Sequence, residues 1–282
     1  MFLAMKLIQH HYGKARVRVL KVFRNGPRHA VKELDVQVML QGSFDASYTK
    51  ADNRLVVATD SMKNTVNVFA RQKLGAETEE LGLALGGHFL KTYRHVSRVE
   101  VRLTEHCWAR IPVAGKPHPH SFSEKGAAKP FVKITCTRKG DLVESGIKDL
   151  FILKTTASGF ENFLRDEFTT LPETNDRILS TKLEAVWTYR RKPGSYSWTN
   201  KKILEAMLAV FAKNYSPSVQ ATLFQMGEAA LKAAPAISKV HLAMPNRHCL
   251  LVNLSPFGLE NKNELFTPID EPHGQIEGTV AR

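Results

Sequence analysis

The stretch Leu55–Val66, LVVATDSMKNTV, places a hydroxyl and a carboxylate where the apolar pattern changes its period. Its first four residues, Leu55–Ala58, are of the small or β-branched types that favour a short buried strand. From Met62 onward, apolar residues recur with the spacing of one helical face, so Thr59 and Asp60 are predicted at a helix N-terminus. Two interpretations are open from these residues alone. The pair either caps the helix by accepting a backbone N–H bond or places two polar groups in a site.

A second stretch, 158–179, carries two side chains suited to a flat polar ligand. Arg177 has a planar fork that can hold an anionic or carbonyl-rich ligand at two points, and the alternative is an ion pair with a neighbouring acid. Phe160 is either a core residue or the ring on which such a ligand stacks. The sequence Thr170-Leu-Pro-Glu173 has the pattern of a capping box, which predicts a short helix there.

Four more polar residues lie at the start of predicted elements. Gln220 falls in the first turn of a helix for which Ser216-Pro217 is the predicted N-cap and first residue, and its amide can both donate and accept. Asn246 and His248 open a strand and share one side by the period of two. Lys14 opens the first strand. An exposed helical Gln and a structural His are the alternatives for these positions.

The elements that must position these residues follow the same order in both halves of the chain. The first half predicts strands at 14–24, 34–40, 97–111 and 130–138 and helices at 61–73 and 77–93. The second half predicts strands at 149–156, 179–191, 237–243 and 248–254, a helix at 201–213 and another from Ser216. We therefore predict an α+β fold of two β-β-α-α-β-β units, 1–140 and 141–282, each an antiparallel sheet with a helix pair on one face.

Length and composition are those of a soluble globular protein: 282 residues, 43% hydrophobic and 24% charged. No apolar run reaches the roughly 18 residues of a membrane span. The N-terminal MFLAMKLI is too short for a signal sequence, and the C-terminal GTVAR is not a peroxisomal signal. The three cysteines, Cys107, Cys136 and Cys249, form no C-x-x-C pair. A reducing compartment is indicated, and we predict the cytoplasm.

A formal net charge of +13 raises the alternative of a nucleic-acid-binding protein. The basic residues are scattered among apolar positions, as on the exposed faces of packed elements, and form no basic tail. No RRM, KH or zinc-finger pattern is present. The charge therefore does not by itself indicate nucleic acid as a partner.

The segment 115–130, GKPHPHSFSEKGAAKP, is predicted to be a loop and raises a metal hypothesis through His118 and His120. His106 is not far upstream, but no carboxylate or cysteine lies at the spacing of a metal site. We therefore predict a structural loop and no metal.

Seven motifs, in one order between residues 12 and 280, resemble those of the urate oxidase (uricase) family. They are YGKARVRV, VVATDSMKNTV, GKPHPHSF, GFENFLRDEFTTLPETNDRIL, SVQAT, PNRH and NELFTP…EPHGQIEGTV. The resemblance implies two tandem tunnelling-fold units in each chain and a barrel-like homotetramer whose active sites are shared between subunits. It implies oxidation of urate by O2 and water to 5-hydroxyisourate and hydrogen peroxide in purine catabolism, with no cofactor.

Position by position, the resemblance also implies residue roles. Lys14, Thr59 and His248 would form a proton relay. Asn246, with Thr59, would hold O2 and then water. The positions implied to contact the substrate are Asp60, Phe160, Leu171, Arg177, Val219, Gln220 and Ile276. The alternatives are a pterin- or GTP-processing enzyme of the same fold and a basic nucleic-acid-binding protein.

Overall fold

The computed structural model describes residues 5–282, which divide into two compact units. The first unit comprises the chain through Gly146 together with Gly194–Ser197, and the second comprises Ile147–Pro193 and Trp198–Arg282. Within residues 5–282, no helix is long and apolar enough to cross a membrane.

The first unit is an antiparallel sheet with two long helices. Its strands are β1 (Tyr12–Phe23), β2 (Ala30–Gly42), β3 (Val96–His106), β4 (Trp108–Val113), β5 (Lys116–Glu124), β6 (Lys129–Thr137) and the residues through Gly146 of β7 (Gly140–Lys154). Its helices are α1 (Asp45–Thr49), α2 (Thr59–Lys73) and α3 (Thr78–Thr92). The main sheet has the order β1-β2-β3-β6-β7, while β4 and β5 form a separate pair.

The core of the first unit is made by alternate residues of the central strands and by the inner helix faces. The fully buried strand residues include Leu34, Val36, Val38 and Leu40 of β2 and Val99, Val101 and Leu103 of β3. The fully buried helix residues are Met62 and Val66 of α2 and Leu81, Leu85 and Phe89 of α3. Gly86 lets α3 approach the sheet, because a Cβ there would lie 2.4 Å from the Sγ of Cys136.

The segment Gly194–Ser197 belongs to the first unit, where a carboxylate holds it. Glu77 accepts hydrogen bonds from the Ser195 hydroxyl and the Ser197 backbone N–H, both at 2.7 Å. Burial on its own raises the pKa of Glu77, but these hydrogen bonds outweigh it and the pKa lies below its ordinary value.

The second unit is also an antiparallel sheet with helices. Its strands are the rest of β7, β8 (Leu179–Tyr189), β9 (Ile237–Ala243), β10 (Asn246–Leu251), β11 (Phe266–Gly274) and β12 (Glu277–Ala281). Its helices are α4 (Tyr196–Lys213) from Trp198 onward, α5 (Val219–Ala233) and a 3-10 turn at Ser255–Phe257. β8 lies between β7 and β10, β11 pairs with β10, and β9 pairs with both β8 and β12. Of the apolar stripe predicted for α4, Ile203, Met207 and Phe211 are buried and Val210 is half-buried, while the stripe predicted for α5, Val219, Leu223, Met226 and Ala230, is buried throughout.

The predicted α+β fold with antiparallel sheets is confirmed, but two predictions at the start of α2 are wrong. Leu55–Ala58 forms no strand, and Leu55 is 47% exposed. The backbone of Val57 is hydrogen-bonded to the Tyr12 hydroxyl and not to a neighbouring strand. The N-cap of α2 is Ala58, and Thr59 is the first helical residue, so the capping interpretation of Thr59 and Asp60 fails.

Two predictions on either side of Cys107 are also wrong. The predicted strand 97–111 breaks at Cys107 into β3 and β4, and Ile111, which continues the alternation of apolar residues, is 38% exposed. Most of the predicted loop 115–130 is β5, which pairs with β4 in a hairpin. The alternation of apolar residues continues through the break, so the pattern does not mark it.

Two predicted helix starts are displaced or missing in the second unit. The stretch 170–173 is not helical, because Glu173 accepts a hydrogen bond from the Asn162 backbone and the next residue pairs with Phe160. The N-cap of α5 is Ser218, which accepts from the backbone N–H of Ala221 at 3.1 Å, and not Ser216. A capping pattern in sequence is thus insufficient where another local donor takes the oxygen.

Candidate active site

Lys14 lies in β1 at a point where the strand is irregular. It pairs with Val38 of β2, after which the register shifts before Val17. Arg16, within the shift, has a left-handed φ of 56°. Such a bulge bends the strand and changes the direction of nearby side chains. Gly13 permits the close pairing, because a Cβ there would lie 1.9 Å from the Val38 carbonyl oxygen.

Thr59 and Asp60 occupy the first turn of α2, in the same unit as Lys14. Thr59 is half-buried and Asp60 is exposed. Asp60 accepts hydrogen bonds from Lys63 and Asn64. Its pKa lies below the ordinary value, chiefly through the Lys63 hydrogen bond, and the charge of Lys14 contributes. The first turn of α2 and Lys14 are therefore within electrostatic reach of each other.

Phe160 and Arg177 come together in the second unit. Phe160 and Thr174 exchange two backbone hydrogen bonds, of 2.7 and 3.1 Å, and the Arg177 N–H donates to the Ser158 carbonyl at 2.7 Å. The guanidinium carbon of Arg177 lies 5.3 Å from the Phe160 ring centroid. Gly159 keeps the segments this close, since a Cβ there would lie 2.3 Å from the Tyr215 hydroxyl. The backbone hydrogen bonds of this segment thus hold the Phe160 ring and the planar Arg177 cation next to each other.

The acids beside Arg177 are engaged elsewhere. Asp176 accepts from the Thr156 hydroxyl and the Ala157 N–H, while Glu173 accepts from Asn162 and lies 3.9 Å from Arg165. Burial lowers the pKa of Arg177 from its ordinary value. The ion-pair alternative raised by the sequence is therefore not the arrangement found.

Four buried side-chain atoms lack a hydrogen-bond partner within residues 5–282, and three of them belong to the second unit. Those three are Ser158 Oγ, Arg177 Nε and Thr181 Oγ1. A buried donor without a partner is costly, by about 1–3 kcal/mol, and is the exception in folded proteins. The Nε of Arg177 is thus one of the few buried donors left unpaired among the described residues.

The start of α5 is attached to the same framework. The Gly159 N–H donates to the Ser216 carbonyl at 2.8 Å, and the Ser216 N–H donates to the Ala157 carbonyl at 2.9 Å. The Thr222 hydroxyl, from the first turns of α5, donates to the Ser216 hydroxyl at 2.6 Å. Val219 is buried, whereas Gln220 is exposed, so its amide is open to a ligand.

Asn246 is half-buried at the start of β10, opposite Thr181 of β8 and Gly274 of β11. A Cβ placed on Gly274 would lie 3.4 Å from Ile276 Cδ1 and 3.7 Å from Asn246 Cβ. Ile276 and Asn246 therefore border the same spot, and Thr181, whose hydroxyl has no hydrogen-bond partner among the described residues, lies opposite Asn246 on β8.

The remaining predicted positions are less closely connected. The register of β10 shifts between Asn246 and His248, so the period of two does not by itself place them on one side. His248 is half-buried. Leu171 lies in the same irregular segment as Phe160 and is 52% exposed.

His118 and His120, the basis of the metal hypothesis, have ring centroids 4.5 Å apart in β5. Across residues 5–282, no group of three or more His, Cys, Asp or Glu side chains is arranged to hold a metal ion.

Sequence reasoning missed the polar residues that support the predicted ones. Tyr12, Ser158 and Thr181 were not singled out, although they lie close in sequence to Lys14, Phe160 and Arg177. A serine or threonine carries no periodic signal, and a tyrosine at the start of a strand is ordinary. Their proximity to polar candidates was the only sequence feature that could have identified them.

The comparison that decides the family covers most of the chain. The family model described as uricase matches residues 10–135 and 143–277. The chain belongs to the uricase family.

Individual members of the family match over almost the whole length. The uricase of Dictyostelium discoideum is 44% identical over 281 residues, which cover 98% of this chain and 97% of the relative. The uricase of Arthrobacter globiformis is 39% identical, over 97% of this chain and 89% of the relative. A crystal structure of uricase from Arthrobacter globiformis superposes with a TM-score of 0.94, covering 99% of this chain and 96% of that chain at 38% identity. The fold and the family therefore agree.

Proposed function

We propose that this chain is a urate oxidase, which converts urate, O2 and water into 5-hydroxyisourate and hydrogen peroxide. Membership of the uricase family supports the substrate and the reaction class. The observation that carries the assignment within the molecule is the buried, partnerless Nε of Arg177 beside the Phe160 ring. Urate is a flat anionic purine trione, and a ring plus a planar cationic donor complement both its face and its edge.

In this proposal Arg177 and Gln220 hold opposite polar edges of urate while Phe160 stacks on its face. The main chain at Val219 lies beside Gln220, and Asp60, Leu171 and Ile276 complete the substrate contacts. A site that satisfies the hydrogen bonds of urate disfavours purines lacking those oxygens, because its buried donors would be left unpaired.

Proton removal is assigned to Lys14 through the hydroxyl of Thr59, with His248 completing the relay. Lys14 acts as the base that accepts the proton. The urate dianion then passes electrons to O2 without a cofactor. A hydroperoxide forms at the urate ring carbon that carries the hydroxyl group in the product, and it leaves as hydrogen peroxide. Water held by Asn246 and Thr59 adds to that carbon, which balances one urate, one O2 and one water against the two products.

The assembly is part of the same proposal. Lys14, Thr59 and Asp60 belong to the first unit, and the other assigned residues belong to the second. We propose a homotetramer with active sites shared between subunits, as the family resemblance implies. Sedimentation of the purified protein at assay concentration tests the tetramer, and cell fractionation tests the predicted cytoplasmic location.

The decisive experiment uses the purified protein after treatment with a chelator. Urate loss, followed by its ultraviolet absorbance, is measured in air together with hydrogen peroxide. Equal amounts of urate lost and peroxide formed are expected, with no added metal or flavin. No urate loss, or loss only after a metal is restored, would contradict the proposal. The two alternatives, a pterin- or GTP-processing enzyme and a nucleic-acid-binding protein, are not favoured by the family match.

A further inference from the structure

We propose that Tyr12 is a positioning residue for the proton relay, because its hydroxyl ties the segment before Thr59 to the strand that carries Lys14. This assignment rests on the proposed urate oxidation. The Tyr12 hydroxyl accepts a hydrogen bond from the Val57 N–H at 2.7 Å and lies 3.3 Å from the Val57 carbonyl, to which it donates. Tyr12 is two residues before Lys14, and Val57 is two residues before Thr59.

The direction of the side chains supports this connection. Tyr12 and Lys14 pair with Leu40 and Val38 of β2, respectively, before the register of β1 shifts. Residues directly opposite in an antiparallel pair share a face, and Leu40 and Val38 are both fully buried on the helix-bearing face. Tyr12 and Lys14 therefore project toward the side on which α2 packs.

The Tyr12 hydroxyl is the side-chain tie nearest to Thr59 in the segment before α2, whose hydrogen bonds at Leu55 and Val56 lie farther from Thr59: the Leu55 carbonyl is 2.8 Å from His95 Nε2, and the Val56 N–H donates to the Asn53 carbonyl at 2.9 Å. Leu55–Ala58 forms no strand, and Val57 is its one buried residue. The Tyr12 ring is itself fixed, since it packs edge-on against Phe44 with centroids 4.8 Å apart, and Phe44 is 1% exposed. Burial raises the pKa of Tyr12, so the hydroxyl keeps the proton that it donates. A rigid ring thus fixes the peptide that leads into Thr59.

This geometry predicts an effect on turnover and not on substrate binding. Proton transfer requires heavy atoms within about 2.6–3.2 Å, and a small displacement of a relay group slows it strongly. Three residues assigned to hold the face and edges of urate, Phe160, Arg177 and Gln220, lie in the second unit, whereas Tyr12 lies in the first. Loosening the start of α2 therefore leaves the arrangement of these three intact, and Asp60, in the first turn of α2, is the one assigned substrate contact that it would touch.

The test compares Tyr12→Phe with Tyr48→Phe in the full chain. Both changes delete one phenolic hydroxyl in the first unit, and that of Tyr48 donates to the His11 carbonyl at 3.4 Å, outside the segment that leads into Thr59. We expect Tyr12→Phe to lower kcat about 10-fold with KM within about 2-fold, and to shift the pH profile of kcat. Tyr48→Phe should match the wild type in all three.

A double variant separates positioning from general destabilisation. In a Thr59→Ala background, adding Tyr12→Phe should cost less than about 2-fold more in kcat, because the relay is already broken. A wild-type kcat in Tyr12→Phe, an equal loss in both backgrounds, or the absence of a cooperative thermal transition would overturn the assignment. Wild-type protein that consumes no urate would instead refute the proposed function, and this assignment with it.

Discussion

Replacing Arg177 by Met should have opposite effects on activity and on stability. In the ligand-free protein its Nε is buried without a hydrogen-bond partner among the described residues, and burial lowers its pKa. The guanidinium is thus placed at a cost that only a ligand offsets. The Met side chain keeps much of the length and the contact with Phe160 while it removes the charge and the donors.

The magnitudes follow from these contacts. A hydrogen bond from a charged donor contributes about 1.5–3 kcal/mol, which corresponds to a loss of about 10- to 150-fold in kcat/KM for urate. Removing a partnerless buried donor should raise the free energy of unfolding by about 1 kcal/mol, a discounted value because the side chain is only partly buried. For a domain of this size, that is a rise in Tm of about 2–4 °C.

Initial rates of urate loss and thermal unfolding without substrate measure the two effects. Arg165→Met is the matched control, since it makes the same change in the same segment, at an exposed residue with a ring contact to Phe163. Its kcat/KM should stay within about 2-fold of the wild type. A kcat/KM for Arg177→Met that stays within the same limit, or a fall in its Tm, would refute the inference that the guanidinium is held in readiness for the substrate.

Three further predictions test the relay and the fold. Lys14→Met and Thr59→Ala should each lower kcat by about 10²-fold or more while KM changes by a few-fold, and steady-state kinetics that retain turnover in either would contradict the relay. Lys21 of β1 donates to three carbonyl oxygens at the C-terminal end of α2, so Lys21→Met should lower the free energy of unfolding by about 1–2 kcal/mol in denaturant titrations. Lys63→Met, near the other end of α2, should cost at most about 0.5 kcal/mol. The pKa of Glu77 is depressed in the folded chain, so its contribution is present above the ordinary value of 4.5 and is lost as pH falls through the folded value. The stability difference between wild type and Glu77→Gln should therefore disappear in acid, and a difference that persists there would contradict this assignment.

Periodic patterns predicted the long elements because burial imposes the same period on sequence and structure. β2 is an example, since Leu34, Val36, Val38 and Leu40 alternate and are all fully buried. The same reasoning failed at Leu55–Ala58, where the apolar run was taken for a strand. There the Tyr12 hydroxyl satisfies the Val57 backbone, and no local pattern indicates a partner 45 residues away.

The candidate site was less accessible to pattern reasoning than the fold. From the residues alone, two arrangements of Arg177 were open: an ion pair with a neighbouring acid, or a guanidinium that can hold a ligand. The choice depended on whether Asp176 and Glu173 were engaged elsewhere, which is a tertiary fact. The family resemblance supplied the roles. It could not explain why Arg177 and Gln220 are attached to the same part of the fold. The reason is the backbone hydrogen bond that joins Gly159 to Ser216.

The surplus positive charge has a use inside each unit that composition could not indicate. A basic side chain from a strand or segment outside the helix donates to carbonyl oxygens at or near the C-terminal end of each of the four long helices. These side chains are Lys21 for α2, Arg138 for α3, Lys154 for α4 and Arg282 for α5. The last carbonyls of a helix have no partner within it and carry the negative end of its dipole, so a cation there is stabilising.

This arrangement weakens the argument from charge to nucleic acid. Phosphate binding requires cations free to meet a backbone, and their number sets its salt dependence. The Lys21 ammonium already donates to three carbonyls, at 2.6, 3.0 and 3.3 Å, and the guanidinium of Arg138 lies within 3.0–3.3 Å of three more. Some of the basic residues behind the net charge of +13 are therefore already bonded to carbonyl oxygens at helix C-termini. The net charge thus overstates the basic surface that is available to a polyanion. The basic residues that matter for the proposed chemistry are instead few: Lys14, which is assigned as the base, and Arg177, whose Nε is buried without a hydrogen-bond partner among the described residues.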